Sequence, residues 1–128
     1  LKVAVSDILP RLQGKVDFGD GRTLNNPDLA MKFWANNASY PYKSHDLWFL
    51  TEDIRWGYLP ANTNTKAIID KVNREDLWKK AAKAIKVPAN QIPSSTSRGV
   101  ETFFDGKKFD PSNPKAYLNS LKIKAIKS

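Results

Sequence analysis

Tyr40-Pro41-Tyr42-Lys43-Ser44-His45-Asp46-Leu47-Trp48-Phe49-Leu50-Thr51-Glu52-Asp53-Ile54-Arg55-Trp56-Gly57-Tyr58-Leu59 decides the reading of this chain, because it gathers aromatic and ionisable groups into one segment with a start and a stop. Pro41 favours an extended approach, Ser44 is placed to cap a first helical turn, and Asp46 suits the positive end of the helix dipole. Gly57 and Pro60 mark the end. Leu47, Leu50, Ile54 and Tyr58 recur at helical spacing, and Trp48, Phe49 and Trp56 widen that apolar surface beyond a single stripe. The expectation is an interior helix, with Trp34, Leu47, Trp48, Leu50, Ile54 and Trp56 as the structural core.

The flanking sequence reads as short elements. A helix is expected from Ser6 through Leu12, with Pro10 near its first turn and Gly14 at its end. Val16-Asp17-Phe18 alternates like a strand, and Gly19-Asp20-Gly21 supplies a tight turn. Leu29, Ala30, Met31, Phe33 and Trp34 suggest another short helix after Pro27. Beyond the central segment, Thr65 to Val72 and Asn73 to Val87 read as helices, and Pro88 stops the second. Asp105-Gly106 inside Thr102–Phe109 is a hairpin signal, and Asn113-Pro114 opens a last helix through about Leu121. The fold class is therefore mainly α with short β-hairpins.

The formal net charge of +8 is unevenly placed: residues 1–64 hold seven Lys/Arg against seven Asp/Glu, and residues 65–128 hold fourteen against six. Asn73 can cap a helix whose Asp76 takes the capping-box position, with Leu77, Trp78, Ala81, Ala82 and Ile85 as its apolar face. Lys79, Lys80, Lys83 and Lys86 occupy the other side. Such a face can lie on nucleic acid or on acidic membrane, but a lysine-rich face is more often simply solvated. Nucleic-acid sites interleave arginine and exposed aromatics with the charge, and here the one aromatic, Trp78, falls on the apolar stripe. No nucleic-acid partner is expected.

A 41% hydrophobic content with four tryptophans fits a globular chain with one core. There is no cysteine, so disulfides, thiol catalysis and cysteine-ligated metal are excluded. Gly19-Asp20-Gly21 lacks the ending of a P-loop, Asp17 and Asp20 lack an EF-hand's spacing, and Ser44-His45-Asp46 are sequence neighbours, which does not make a triad. Neither catalysis, metal nor cofactor is expected. The candidates for ligand contact are Lys43, Ser44 and His45 at the start of the central helix, where first-turn amides and positive charge suit a small oxyanion, and Arg98 in its polar loop. The competing reading makes Ser44 a cap, His45 a donor to a loop carbonyl, Arg55 half of an ion pair with Glu52 or Asp53, and Arg98 a residue of lobe packing.

Lys43 through Gly57, Ser94-Ser95-Thr96-Ser97-Arg98-Gly99-Val100-Glu101-Thr102-Phe103-Phe104-Asp105-Gly106 and Phe109-Asp110-Pro111 resemble the C-terminal part of cyanobacterial nitrate- and bicarbonate-binding proteins, the solute-binding components of ABC importers. Asp17-Phe18-Gly19-Asp20-Gly21-Arg22 and Tyr117-Leu118-Asn119-Ser120-Leu121-Lys122-Ile123-Lys124 follow the same pattern, so the resemblance runs along nearly the whole chain. It implies that residues 1–128 form a single C-terminal segment of a two-lobed, type II-like α/β periplasmic binding protein, with a possible soft joint at 60–64. It also implies a small oxyanion as ligand, held mostly by residues preceding this segment, and an ABC permease and the remaining lobes as partners. A periplasmic, membrane-associated location follows from the same resemblance. A related segment fused to an importer's ATPase would instead be a cytoplasmic anion sensor.

Overall fold

The computed structural model describes residues 2–28 and 30–125. These residues are mainly helical, with two short antiparallel strand pairs, as the sequence predicts. The chain forms two compact units, Leu1–Ser39 and Tyr40–Ser128.

In the first unit, helix α1 (Val5–Leu12) leads into strand β1 (Lys15–Asp17), which pairs with β2 (Thr23–Asn25) in the register Val16 opposite Leu24. The helix starts one residue before Ser6, with Ala4 at its cap position and Pro10 in its second turn. Pro10 has no N–H for the turn below it, which limits this helix to about two turns. Gly14 breaks it at φ +88°, and its carbonyl accepts the Asn26 N–H at 2.7 Å to tie helix and hairpin together. The Gly19-Asp20-Gly21 turn is held by Asp17 and Asp20, whose carboxylates accept the N–H groups of Gly19 and Arg22. Val16 is the buried apolar residue of this unit among the described residues.

The helix expected after Pro27 does not form. Residues 31–34 are irregular, Leu29 lies outside the described residues, and only a 3₁₀ turn (Ala35–Asn37) follows. Asn36 and Asn37 both take left-handed backbone angles, φ 56° and 57°, which asparagine tolerates and a helix cannot continue through. Trp34, expected in the core, is 45% exposed.

In the second unit the central segment is helix α2 (Lys43–Arg55). Tyr42, not Ser44, takes the N-cap position, and its carbonyl accepts the amides of His45 and Asp46. Ser44 is drawn inside the first turn and buried. Gly57 ends the helix in the left-handed region, as expected. Helix α3 (Thr65–Val72) is capped by the Asn64 side chain, which accepts the Ala67 N–H at 3.1 Å. Asn73 accepts the Glu75 N–H at 3.0 Å at the mouth of helix α4 (Glu75–Ala84), but Arg74 sits at the cap and pairs with Asp76, so no capping box forms. The end of α4 also differs from expectation. Lys86 adopts φ 59°, and Val87 and Lys86 donate back to the Ala82 and Lys83 carbonyls, a Schellman closure that stops the helix before Val87.

A 3₁₀ turn (Ala89–Gln91) precedes the hairpin of β3 (Glu101–Thr102) and β4 (Lys108–Phe109), closed around Asp105-Gly106. Helix α5 (Pro114–Ser120) starts at Pro114 with Asn113 capping Ala116. The core of this unit gathers Ile54 of α2, Ile69 of α3, Phe109 of β4, and Tyr117 and Leu118 of α5. Phe109 is 1% exposed and meets Tyr117 edge-on at 5.5 Å between ring centres, an aromatic contact that adds to area burial. Tyr40 anchors α4: its ring meets Trp78 edge-on at 5.0 Å and its hydroxyl donates to Glu75 at 2.9 Å.

Helix α2 is only partly interior in this chain. Ile54 is buried, Leu47, Trp48 and Leu50 are half-buried, and Trp56 and Phe49 are 44% and 62% exposed. Their outward direction follows from helical geometry: the face carrying Thr51 and Ile54 meets α5 and α3, and Phe49 and Trp56 fall on the opposite flank.

Candidate functional site

The start of α2 brings together Lys43, Ser44, His45 and Arg98, four residues that the sequence places far apart in two groups. The loop before β3 folds over the first turn, where the Ser44 N–H donates to the Thr96 carbonyl at 3.4 Å and the Ser44 hydroxyl accepts the Arg98 N–H at 3.1 Å. His45 Nε2 meets Glu101 Oε1 at 3.1 Å, and Arg98 Nε reaches the same oxygen at 3.4 Å. Glu101 therefore serves two basic side chains from the edge of the hairpin.

Lys43 is answered from α3. Its Nζ lies 2.8 Å from Asp70 Oδ1, and Lys66 pairs with the other oxygen of the same carboxylate. Hydrogen bonds from Lys43 and Lys66 hold the Asp70 carboxyl down at about 2. Lys43 is raised, chiefly by its bond to Asp70. Asp46 accepts from Asn73 Nδ2 at 2.7 Å, and the same amide nitrogen donates to the Pro41 carbonyl at 2.8 Å. Each polar group named here at the start of α2 thus has a protein partner.

The electrostatic consequence is specific. A free helix N-terminus with uncompensated Lys and His would attract a small anion. Here the Ser44, His45 and Asp46 amides donate to carbonyls, and the basic side chains face carboxylates already within bonding distance. The arrangement joins three segments: the start of α2, the end of α3 with its following turn, and the loop into β3.

A second polar junction lies at the other end of α2. Glu52 accepts Arg55 Nη1 at 3.0 Å and the Tyr117 hydroxyl at 2.8 Å. Arg55 also donates through Nε to the Ile123 carbonyl at 2.9 Å, and its guanidinium carbon lies 4.5 Å from the centre of the Trp56 ring. Arg55 is thus half of an ion pair with Glu52, as the i,i+3 spacing suggests. Sequence reasoning missed Asp70, Asn73, Glu101 and Tyr117. Glu101 alone carried a signal, three residues after Arg98; the others are partners across 27 to 65 positions of sequence, which no local pattern exposes.

A concavity of about 510 Å³ lies on another side of α2, lined by Leu47, Ile54 and Leu118 with Lys115 and Lys124. No group of three or more His, Asp or Glu among the described residues is placed to hold a metal. No helix among them is long and apolar enough to cross a membrane.

No family model matches the chain. Curated relatives do: it is 69% identical over 127 residues to the nitrate/nitrite binding protein NrtA of Synechococcus elongatus, covering 99% of this chain and 28% of the relative. The bicarbonate-binding protein CmpA of the same organism is 49% identical over 95% of this chain and 29% of its own length. Along almost its whole length the chain matches a segment of this nitrate- and bicarbonate-binding protein family. The solved structure of the periplasmic nitrate-binding protein NrtA from Synechocystis PCC 6803 aligns with a TM-score of 0.83 at 66% identity, over 95% of this chain and 32% of that one. The nitrate import ATP-binding protein NrtC of Synechococcus elongatus matches more distantly, 34% identical over 89% of this chain and 17% of its own length. The chain therefore spans under a third of the family members it matches, and those members are named as binding proteins or, for NrtC, as an importer's ATP-binding protein.

Proposed function

We propose that this chain is part of the solute-binding component of an ABC importer for a small oxyanion, nitrate, nitrite or bicarbonate, and that it braces the lobes of the anion trap without holding the anion. It supports a binding protein and carries out no reaction. Its partners on this reading are the remaining lobes and, through them, an ABC permease, in the periplasm at the membrane. The observation that carries the bracing role is the start of α2, where Lys43, His45 and Arg98 all lie against carboxylates of the same chain. Lys43, Ser44, His45 and Arg98 then act as fasteners between segments. Phe49, Trp56 and Tyr58, all exposed here, supply an apolar face for the rest of the protein to cover.

The 69% match to a binding protein against 34% to an ATP-binding subunit supports this reading over a sensor fused to the ATPase. Calorimetric titration of nitrate and bicarbonate into the full-length protein and into the K43A/H45A/R98A variant tests it. Equal heats and affinities are expected. Loss of binding in a variant that keeps its helical content would place the anion at the start of α2 and overturn the proposal.

A further inference from the structure

We propose that the outward face of α4 is a docking surface for an anionic lipid bilayer. The sequence pattern assigns Leu77, Trp78, Ala81, Ala82 and Ile85 to one buried stripe, but the helix turns only part of it inward. Ala82 is buried and Trp78 half-buried against Tyr40, while Leu77 is 51% and Ile85 73% exposed. Leu77, Ala81, Ala84 and Ile85 follow the i, i+4, i+7, i+8 spacing, so the exposed members share one side of the helix. Lys80 and Lys83 run along the neighbouring side, and Lys86 follows at the closing turn.

The charge on this face is uncompensated. Residues 75–86, α4 and its closing turn, carry four Lys against two Asp/Glu. The two acids are engaged: Glu75 accepts the Tyr40 hydroxyl, and Asp76 takes both ends of a bond pair from Arg74. None of the ion pairs among the described residues involves Lys80, Lys83 or Lys86.

Shape favours a planar partner. The face is the outer side of a two- to three-turn helix, and the concavity on α2 described above includes no residue of α4. It has no aromatic anchor and no pocket to seat a partner's side chain, which is how protein interfaces gain most of their affinity. Aliphatic side chains beside lysines instead match the boundary of a bilayer, where the apolar groups enter the acyl region and lysine stems carry their charge to anionic headgroups. This surface is independent of the oxyanion reading and stands or falls on its own test.

Flotation of the full-length protein with vesicles of phosphatidylglycerol mixed into phosphatidylcholine provides that test, with phosphatidylcholine alone as the reference. Binding to the anionic vesicles that weakens as salt rises is expected. K80E/K83E/K86E lowers it by about a hundredfold, and L77N/I85N by about tenfold. K2E/K15E/K32E, which changes the net charge equally at exposed positions of the first unit, leaves it within a few-fold. No binding to the anionic vesicles at low salt overturns the proposal, as do equal binding to both vesicle types and equal losses from the two lysine triples.

Discussion

The Tyr117 hydroxyl donates to Glu52 Oε1 at 2.8 Å across 65 positions of sequence, while Glu52 Oε2 receives Arg55 from one helical turn away. This one carboxylate holds α5 to α2 and fixes the guanidinium that in turn reaches the Ile123 carbonyl. Tyr117→Phe removes the hydroxyl and leaves Glu52 with Arg55, so it costs about 1 kcal/mol; Glu52→Ala strands both partners and costs about 2 kcal/mol or more. Urea unfolding of the full-length variants reads the difference, and equal losses would show that the carboxylate does not connect the two.

Among the described residues of the second unit Phe109 is the most buried large side chain, and it closes the hairpin onto α5. Phe109→Ala empties that position and costs about 3–5 kcal/mol, whereas Phe104→Ala, at a fully exposed side chain in the loop of the same hairpin, changes stability by less than about 0.5 kcal/mol. Thermal denaturation of the two variants side by side checks the contrast.

Asp70 gives the junction between α2 and α3 a definite pH response. Its folded carboxyl lies at about 2 against an ordinary 3.8, so its bonds to Lys43 and Lys66 stabilise the fold fully above about 4. That contribution is lost as pH falls from 3.8 toward 2, because the unfolded chain takes up the proton first. The stability of Asp70→Asn therefore falls less steeply than that of the unaltered protein across this window. Parallel stability curves would contradict the pairing.

Lys86 occupies the left-handed position of the Schellman closure, where a side chain is strained and glycine is not. Lys86→Gly stabilises the protein by about 0.5–1 kcal/mol, and Lys86→Val destabilises it. Opposite shifts in the melting temperature are the expected result.

The elements that could be read from sequence were those whose boundaries are set locally. Asn64 before Thr65, Asn113-Pro114, and Asp105-Gly106 each fix a backbone angle or satisfy an amide within four residues, and each places its element as expected. The failures are decided at a distance. Ser44 has the right chemistry for a cap, but the loop carrying Thr96 and Arg98 supplies its partners, so Tyr42 becomes the cap residue. Leu29, Ala30, Met31, Phe33 and Trp34 suggest a helix, but the paired left-handed asparagines at 36 and 37 end any helical run there. At the candidate site, the four residues named from sequence come together in the structure; their acidic partners come from α3 and β3, and only the i,i+3 spacing of Arg98 and Glu101 offered a pairing in advance.

Trp56 makes the bracing role quantitative. Within this chain its ring is 44% exposed and contacts Arg55, so Trp56→Ala here would cost about 1 kcal/mol. Covered by the remaining lobes it would cost about 3–5 kcal/mol in the full-length protein, as for any large buried aromatic. Urea unfolding of that full-length variant separates the two values.

The most direct test is hydroxyl-radical footprinting of the full-length protein, read at Phe49, Trp56, Phe104 and Phe109. A bracing segment predicts that Phe49 and Trp56 are protected nearly as well as Phe109, while Phe104 is oxidised freely. Oxidation of Phe49 and Trp56 at rates matching Phe104 would contradict the account.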